Sequence, residues 1–431
     1  MLIYGFWLGL ALLKFGNPGI VEEMVERPTN PLEWIFNPWP IAIAWWLLGA
    51  LMVLGVFAAR WRENLPWKIV VLPLLWFGWQ LFAATETVDG RISEQTLRHF
   101  TTCIVCFYLG LFSLSHCRKP NRLWIGIIIG FVLVMASGWT QYFGGLAETR
   151  RYFFTYIYPT QKNLPPELVA KMSTNRIFAT LFYPNTLAGV ILLLLPPILA
   201  AIWSMRRWMT SGARGLMMAL VGGPAAFCLI WSGSKGGWLL AMAMVFVGAM
   251  YLPINRRLKL ILVGTVVVLG LAGFFVKYAK FFRKGATSVV ARFDYWQAAA
   301  KTTASHPVLG TGPGTFGLAY KRIKRPESEM ARMAHNDYIE QASDSGLPGC
   351  LLYTAFIAGF LVFTGRNRAL KDDWLKLAVW LGLLGWALQS FIEFNLYVPA
   401  LAWPAFTLMG WLLGQPKSID SQPAVSYAPV S

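Results

Sequence analysis

The densest cluster of chemically useful side chains in the sequence surrounds His335. The imidazole is followed by Asn336, Asp337, Tyr338 and Glu340 in the stretch AHNDYIEQASDSGLPG. A neutral imidazole can accept a proton from a hydroxyl group near neutral pH, and the start of a helix favours nearby anions. The same pattern is also typical of a histidine with a purely structural role, so both interpretations stay open on these residues alone.

Basic side chains suited to binding an anion lie in three other stretches. Lys235 lies between small residues in WSGSKGGWL, Arg176 precedes an apolar run in TNRIFATLFYPNTLAG, and Arg292 lies four residues before Trp296 in ARFDYWQAAAK. Residues four apart share a helix face, so Arg292 is predicted to lie beside an aromatic side chain. A cation near the hydrocarbon edge of a membrane extends its charge to the surface or binds an anion.

Two strings look like catalytic motifs but lack the residues that complete them. The turn SHPVLGTGPGTFG has no Gly-Lys-Ser/Thr ending, so a nucleotide-binding P-loop is not predicted. Ser232 to Lys235 matches S-x-x-K without the partner motifs of the penicillin-binding enzymes. No H-x-x-x-H or carboxylate-rich metal spacing is present, and the C-x-x-C pair of Cys103 and Cys106 lies in an apolar run without a second pair, so we predict no metal and no cofactor.

The elements that must position these residues are apolar helices. Of the 431 residues, 56% are hydrophobic and 13% are charged, and the mean hydropathy is +0.50. An ordinary soluble domain has about 25% charged residues, so this composition excludes soluble enzymes, fibrous proteins and disordered chains. The net charge of +18 does not indicate a nucleic-acid partner, because cytoplasmic loops of membrane proteins collect Lys and Arg.

About twelve apolar runs approach the roughly 20 residues that a helix needs to cross a bilayer. We therefore predict an all-α, polytopic membrane helix bundle of about 12 transmembrane helices over residues 1–414, and a disordered cytoplasmic tail at 415–431. The runs are 1–20, 38–59, 69–85, 99–115, 123–143, 178–204, 216–231, 238–253, 260–276, 346–365, 377–393 and 398–414.

The distribution of basic residues orients the predicted bundle. Five short loops on one side are rich in Lys and Arg, and by the positive-inside rule this side and both termini are cytoplasmic. The basic residues of these loops are Arg60, Arg62, Lys68, Arg118, Lys119, Arg122, Arg206, Arg207, Arg214, Arg256, Arg257, Lys259, Arg366, Arg368, Lys371 and Lys376.

A long segment at 277–345 lies on the opposite side, before the last three runs, and is predicted to be a partly helical loop. It holds eleven basic residues against six acidic ones. Long loops cross the membrane regardless of charge, so topology permits this surplus without requiring it. An anionic ligand on the outer side would account for the surplus, and a generic solvated basic loop is the alternative.

Taken in order, these strings resemble the O-antigen ligase and O-antigen polymerase family of bacterial membrane glycosyltransferases. The match is carried over about residues 174–350 by RIFATLFYPNTLAG, WSGSKGGWL, and ARFDYWQAAAKTTASHPVLGTGPGTF followed by AHNDYIEQASDSGLPG. The resemblance implies metal-independent transfer of a glycan from undecaprenyl diphosphate to an acceptor hydroxyl at the periplasmic face of the bacterial inner membrane. The implied partners are the lipid-linked donor, a lipid or glycan acceptor and membrane lipids.

The resemblance also implies roles for individual residues. The family's loop histidine falls on His335, as general base in an inverting-type attack, and its Arg before the W-x-x-A stretch falls on Arg292, which would hold the diphosphate. A short-turn Arg of the family falls on Lys235, a departure, because Arg grips phosphate with two parallel N–H groups and Lys offers a point charge. Arg176 is a fourth and weaker candidate.

The sequence leaves the acceptor open. Lipid A–core would make the protein a ligase of lipopolysaccharide biosynthesis, a second repeat unit an O-antigen or exopolysaccharide polymerase, and a protein hydroxyl an O-oligosaccharyltransferase. A transporter of lipid-linked glycans is the alternative from another class. A transporter would need charged residues deep within the spans. The apolar runs contain few charged residues, and Lys14 and Glu393 are the exceptions. We therefore predict a lipid-linked oligosaccharide transferase.

Overall fold

The computed structural model describes residues 1–19, 25, 27–61, 65–117, 121–160, 169, 172–251, 255–283, 287–326, 328–367 and 369–415. All regular secondary structure in these residues is helical, which confirms the predicted all-α class. Apart from Gln415, the predicted tail at 415–431 lies outside the described residues.

The helices are numbered here in chain order. They are α1 (Leu2–Lys14), α2 (Pro31–Phe36), α3 (Ile41–Phe57), α4 (Trp67–Val70), α5 (Leu72–Ala83), α6 (Gly90–Phe112), α7 (Asn121–Thr140), α8 (Leu146–Tyr152), α9 (Pro184–Ser204), α10 (Ser211–Trp231), α11 (Lys235–Met250), α12 (Arg256–Arg283), α13 (Thr287–Ser305), α14 (Phe316–Ile323), α15 (Asp337–Gly365), α16 (Ala369–Asp372), α17 (Trp374–Gln389) and α18 (Pro399–Leu413).

Within the described ranges, seven helical segments are long and apolar enough to cross a membrane, and five shorter apolar helices accompany them. Each apolar run predicted from the sequence falls on one of these helices. The chain therefore has the character of a multi-pass membrane protein. The count of about twelve spans stays a prediction, because the shorter helices fall below the length that spans unaided.

The last helix, α18, lies at the centre of the bundle. Every residue of α18 is buried, including Trp403 and Trp411, as expected of a helix that is apolar on all sides. It packs against α6, α1 and α17. By contrast, α12 exposes large apolar side chains such as Val268, Leu269 and Val276, which is consistent with a position facing lipid.

Glycines spaced four apart allow α1 and α7 to pack with their backbones in contact. A Cβ atom added to Gly126 would lie 2.2 Å from the Phe6 nitrogen, and one added to Gly130 would lie 2.4 Å from the Gly9 Cα. Small residues at this spacing are typical of close helix pairs in membranes, where dispersion contacts replace the hydrophobic effect as the driving force. The α1–α7 pair is thereby fixed at the edge of the core.

The predicted outer segment 277–345 has different boundaries in the structure. The first residues of the predicted segment belong to helix α12, which ends at Arg283. The last residues of the segment belong to α15, which begins at Asp337. The two remaining helices of the segment, α13 and α14, pack against α15. A kink at Ser345 and Gly346, where Gly346 has a φ of 72°, divides α15 near the boundary that hydropathy placed at 346.

We expect Gly126→Leu to prevent the close packing of α1 and α7 and to cost about 1–3 kcal/mol or more, as overpacking does. Thermal unfolding can be followed through the reactivity of the buried cysteines Cys103, Cys106 and Cys228. Gly49→Leu is the matched control, because no atom lies within 4 Å of a Cβ at Gly49. Equal unfolding temperatures for the two variants would contradict this packing.

Candidate active site

A cavity of about 510 Å³ lies where the start of α11, the first half of α13 and the turn after α17 meet. All four residues predicted to form a site, Arg176, Lys235, Arg292 and His335, line this cavity. They come from segments separated by up to about 160 residues in the sequence. The structure therefore brings together residues that the sequence only proposed to act together.

The carboxylate of Glu393 joins these residues and was not among the predicted site residues. Its Oε1 atom accepts hydrogen bonds from Arg292 Nη2 at 2.5 Å and from Asn185 Nδ2 at 2.6 Å. Its Oε2 atom lies 3.2 Å from His335 Nδ1. One carboxylate thus contacts the predicted base, a predicted cation and an amide that leads to a second cation.

Hydropathy placed Glu393 inside the apolar run 377–393, and the structure corrects this boundary. The helix α17 ends at Gln389, and Glu393 lies in the turn that follows it. Apolar neighbours such as Ile392 and Phe394 continue the run through the turn, so hydropathy does not detect where the helix ends. A lone carboxylate in an apolar run nevertheless indicates a compensating partner elsewhere in the fold, since an unpaired charge there is energetically unfavourable.

The start of α15 holds both ends of the Glu393 turn. The backbone N–H of Asp337 donates to the Ser390 carbonyl at 2.8 Å. The Asp337 carboxylate accepts from the Leu396 N–H at 2.9 Å. Because Asp337 is two residues from His335, one short stretch positions both the histidine and its carboxylate partner.

His335 has a φ of 53°, in the left-handed region that non-glycine residues rarely adopt. The following residue, Asn336, caps α15 by accepting from the N–H groups of Tyr338 and Ile339 at 3.0 and 3.1 Å. On the other side, the Ala334 N–H donates to the buried Glu340 carboxylate at 2.9 Å. These bonds hold a conformation that costs about 1–2 kcal/mol, so the histidine is held in a strained, defined position.

The contact with Glu393 orients the His335 imidazole. A carboxylate next to Nδ1 favours the tautomer with its proton on Nδ1, which leaves the Nε2 lone pair to accept a proton. Within the described residues, no hydrogen bond to His335 Nε2 is found. The ring lies between Tyr295 and Phe394, with centroid separations of 5.7 and 4.8 Å, and these contacts fix its plane.

Arg292 is anchored by protein atoms on all three guanidinium nitrogens. Nε donates to the Ile392 carbonyl at 3.0 Å, Nη1 to the Ser288 carbonyl at 2.9 Å, and Nη2 to Glu393. The predicted shared face of Arg292 and Trp296 is confirmed, since both side chains line the cavity. Only the second N–H of each terminal nitrogen remains for a ligand.

Arg176 is linked to the same carboxylate through an amide. Its Nη2 donates to Asn185 Oδ1 at 2.6 Å, and the other end of that amide donates to Glu393. Its Nε donates to the Ser232 carbonyl at 2.7 Å, at the turn between α10 and α11. Two guanidinium groups are therefore held on one side of the cavity.

Lys235 is the first residue of α11. Ser234 caps the helix by accepting from the Gly237 N–H at 3.2 Å, and Gly233 has a φ of 63°, which the reversal of the chain before the cap requires. The Lys235 ammonium lies 5.2 Å from the centroid of the Tyr278 ring. Lys235 thus places a positive charge at the cavity wall.

The charge balance of the cavity is positive. Burial raises the pKa of the Glu393 carboxyl, but the Arg292 guanidinium and the His335 imidazole outweigh this, and the pKa lies below its usual range. The carboxylate is therefore ionised, and Glu329 adds a second acidic side chain to a lining that holds the three basic side chains of Arg176, Lys235 and Arg292. Such a site has a surplus of positive charge available for an anionic ligand.

The glycine-rich turn 305–317 does not contribute N–H groups to the cavity. Asp344 of α15 accepts from the N–H groups of Gly314 and Phe316 at 2.8 and 2.9 Å, and its carbonyl accepts from Gly312 at 2.8 Å. The turn therefore has a structural role. In the same described ranges, no group of three or more His, Cys, Asp or Glu side chains is arranged to hold a metal ion.

Residues 221–354 match the family model described as O-antigen ligase. The predicted resemblance is confirmed. The matched segment contains Lys235, Arg292 and His335, whereas Arg176 and Glu393 lie outside it. The family description is that of an O-antigen ligase, and the match covers less than half of the chain. A comparison with curated proteins found no match.

We expect Glu393→Gln to lower the unfolding temperature at neutral pH, because breaking a buried ion pair costs about 3–5 kcal/mol. The folded-state pKa of this carboxyl is depressed. Its stabilisation is therefore present above the unfolded-state pKa of about 4.3 and is lost as pH falls through the lower folded-state value. The gap between wild type and variant should close on acidification, measured by thermal unfolding between about pH 7 and pH 3.

Glu94→Gln provides the control for this experiment. Glu94 pairs with Arg98 on an exposed face of α6, where an ion pair contributes about 0–1 kcal/mol. If the two variants lost the same stability at neutral pH, the central position assigned to Glu393 would be wrong.

Proposed function

We propose that this protein is a glycosyltransferase of the O-antigen ligase type. It transfers a glycan from undecaprenyl diphosphate to an acceptor hydroxyl, of lipid A–core or a similar acceptor, at the periplasmic face of the bacterial inner membrane, with both termini cytoplasmic. The observation that carries the proposal is the convergence of His335, Glu393 and three cations on one cavity. Polymerases and protein O-oligosaccharyltransferases would use the same chemistry with another acceptor.

The donor's leaving group matches the charge of the cavity. Undecaprenyl diphosphate departs as an anion, and Arg176, Lys235 and Arg292 provide preorganised positive charge for it. The diphosphate is already an activated leaving group, so the proposed reaction uses neither a nucleotide nor a metal. Apolar side chains on the same wall, including Leu239, Phe274 and Phe293, suit a lipid-linked donor better than a soluble one.

His335 supplies the proton acceptor for the second substrate. The acceptor oxygen forms a bond to the anomeric carbon while the bond from that carbon to the phosphate oxygen breaks. The hydroxyl proton moves to His335 Nε2, and the diphosphate leaves with the electron pair. Glu393 stabilises the resulting imidazolium through Nδ1, as the carboxylate does in a Ser-His-Asp triad. Attack opposite the leaving group inverts the anomeric configuration.

We expect His335→Ala to reduce glycan transfer about 10²–10⁴-fold, the range for loss of a general base. The measurement is transfer from a lipid-linked donor by the purified protein, with the unfolding temperature recorded in parallel. His306→Ala is the control, because His306 is exposed in the structural turn and is not part of the cavity lining. Transfer at the wild-type rate by a folded His335→Ala protein would rule out the base.

We expect Lys235→Arg to retain transfer and Lys235→Met to lose most of it, because the position contributes charge to the leaving-group side of the cavity. The two variants differ in charge while both keep a long side chain, so the comparison separates charge from packing. Steady-state kinetics with the lipid-linked donor gives the result. An inactive, folded Lys235→Arg protein would show instead that the site is shaped around an ammonium group.

A further inference from the structure

The hydroxyl group of Tyr278 is buried without a hydrogen-bond partner. The residue is 7% exposed, and no partner for its oxygen is found in the part of the chain that the structure describes. Buried polar atoms in proteins are almost always bonded, so each exception requires a physical reason. The function assigned above does not use this group.

The Tyr278 ring lies among cations at the edge of the cavity. The ammonium groups of Lys235 and Lys277 lie 5.2 and 5.8 Å from the ring centroid. The Arg176 guanidinium interacts electrostatically with the phenol, and no hydrogen bond joins the two among the described residues. Phe274, one helical turn earlier, and Lys235 both line the cavity, and Tyr278 lies behind this lining, beside the Lys235 ammonium.

The chemistry that would complete this arrangement is that of an anion with several acceptor oxygens. A phenol O–H is a donor, and the neighbouring side chains of Lys235, Lys277 and Arg176 are donors as well. None of them can accept from the phenol. A phosphate group presents several oxygens to such a set at once, and it is attracted by the same three charges.

We propose that Tyr278 is a further binding residue for the diphosphate of the lipid-linked donor, with its Oη atom donating to a phosphate oxygen and Lys277 adding positive charge beside it. The inference rests on the proposed function, because that function supplies the diphosphate. It extends the phosphate region from Arg176 and Lys235 towards α12, which carries Lys277 and Tyr278. The unpaired hydroxyl of the free protein becomes paired only when the donor or the released lipid diphosphate is bound.

The test is Tyr278→Phe in the full-length protein, titrated with undecaprenyl diphosphate while the unfolding temperature is followed. Loss of a hydrogen bond to a charged group raises a dissociation constant about 10- to 100-fold, and we expect the dissociation constant of Tyr278→Phe for undecaprenyl diphosphate to rise by this factor. Without ligand, the variant should unfold at the wild-type temperature or above, because the removed hydroxyl has no partner. Inorganic diphosphate, titrated separately, shows how much of the binding comes from the headgroup without the lipid chain. Undecaprenyl monophosphate shows how much depends on the second phosphate.

Tyr353→Phe is the matched control. Its hydroxyl is also buried and without a partner in the described chain, but Tyr353 packs on Trp76 and Tyr338, whereas the Tyr278 ring lies near two ammonium groups. We expect its binding of undecaprenyl diphosphate to equal that of the wild type. An equal loss in both variants would overturn the assignment.

The remaining outcomes separate this inference from the function on which it rests. If the wild type is stabilised by undecaprenyl diphosphate and Tyr278→Phe binds with the same affinity, the role of Tyr278 is wrong and the proposed function stands. A Tyr278→Phe protein that unfolds earlier without ligand and binds normally would show a structural hydroxyl. If the wild type binds no undecaprenyl diphosphate, the donor assignment fails and this inference fails with it.

Discussion

A buried carboxylate in the turn after an apolar helix is the constraint on which the site depends. An isolated charge removed from water is strongly unfavourable, and it persists only when paired and hydrogen-bonded. Glu393 meets this requirement through Arg292, His335 and Asn185. Since these partners come from α13, the start of α15 and α9, compensating one charge draws three distant segments together.

The three basic side chains of the cavity have different surroundings. Arg292 is held by Glu393 and by two backbone carbonyls, so much of its hydrogen-bonding capacity serves the protein. Arg176 and Lys235 lie at the wall formed by the turns before α9 and α11. The flexible Lys235 side chain supplies charge at this wall, while the fixed guanidinium groups of Arg176 and Arg292 provide the rigid geometry.

Three acidic residues of α15 that follow His335 contact different parts of the backbone. Asp337 binds the end of the Glu393 turn, Glu340 binds the backbone before His335, and Asp344 binds the glycine-rich turn. All three are buried and lie on one face of α15. Each accepts at least one hydrogen bond from a backbone N–H group, and none of the three lines the cavity, so they act on the geometry of the site.

The sequence by itself determined the membrane environment, the helical class and the principal polar residues of the site. Low charge density and long apolar runs leave helices as the structure that satisfies every backbone group within a membrane. His335, Arg292, Lys235 and Arg176 were identifiable because polar side chains in short, glycine- and aromatic-containing strings contrast with their apolar surroundings, and because those strings resemble a known family.

Only the tertiary structure decided which of these residues touch and what joins them. Glu393 was hidden in the apolar run 377–393, since hydropathy averages over a window and does not locate the turn after Gln389. The boundaries at Arg283 and Asp337 were missed for the same reason, because helices continue through polar residues whenever packing satisfies them. Pairing of charges is a property of three-dimensional distance in a medium of low dielectric, and sequence separation carries no information about that distance.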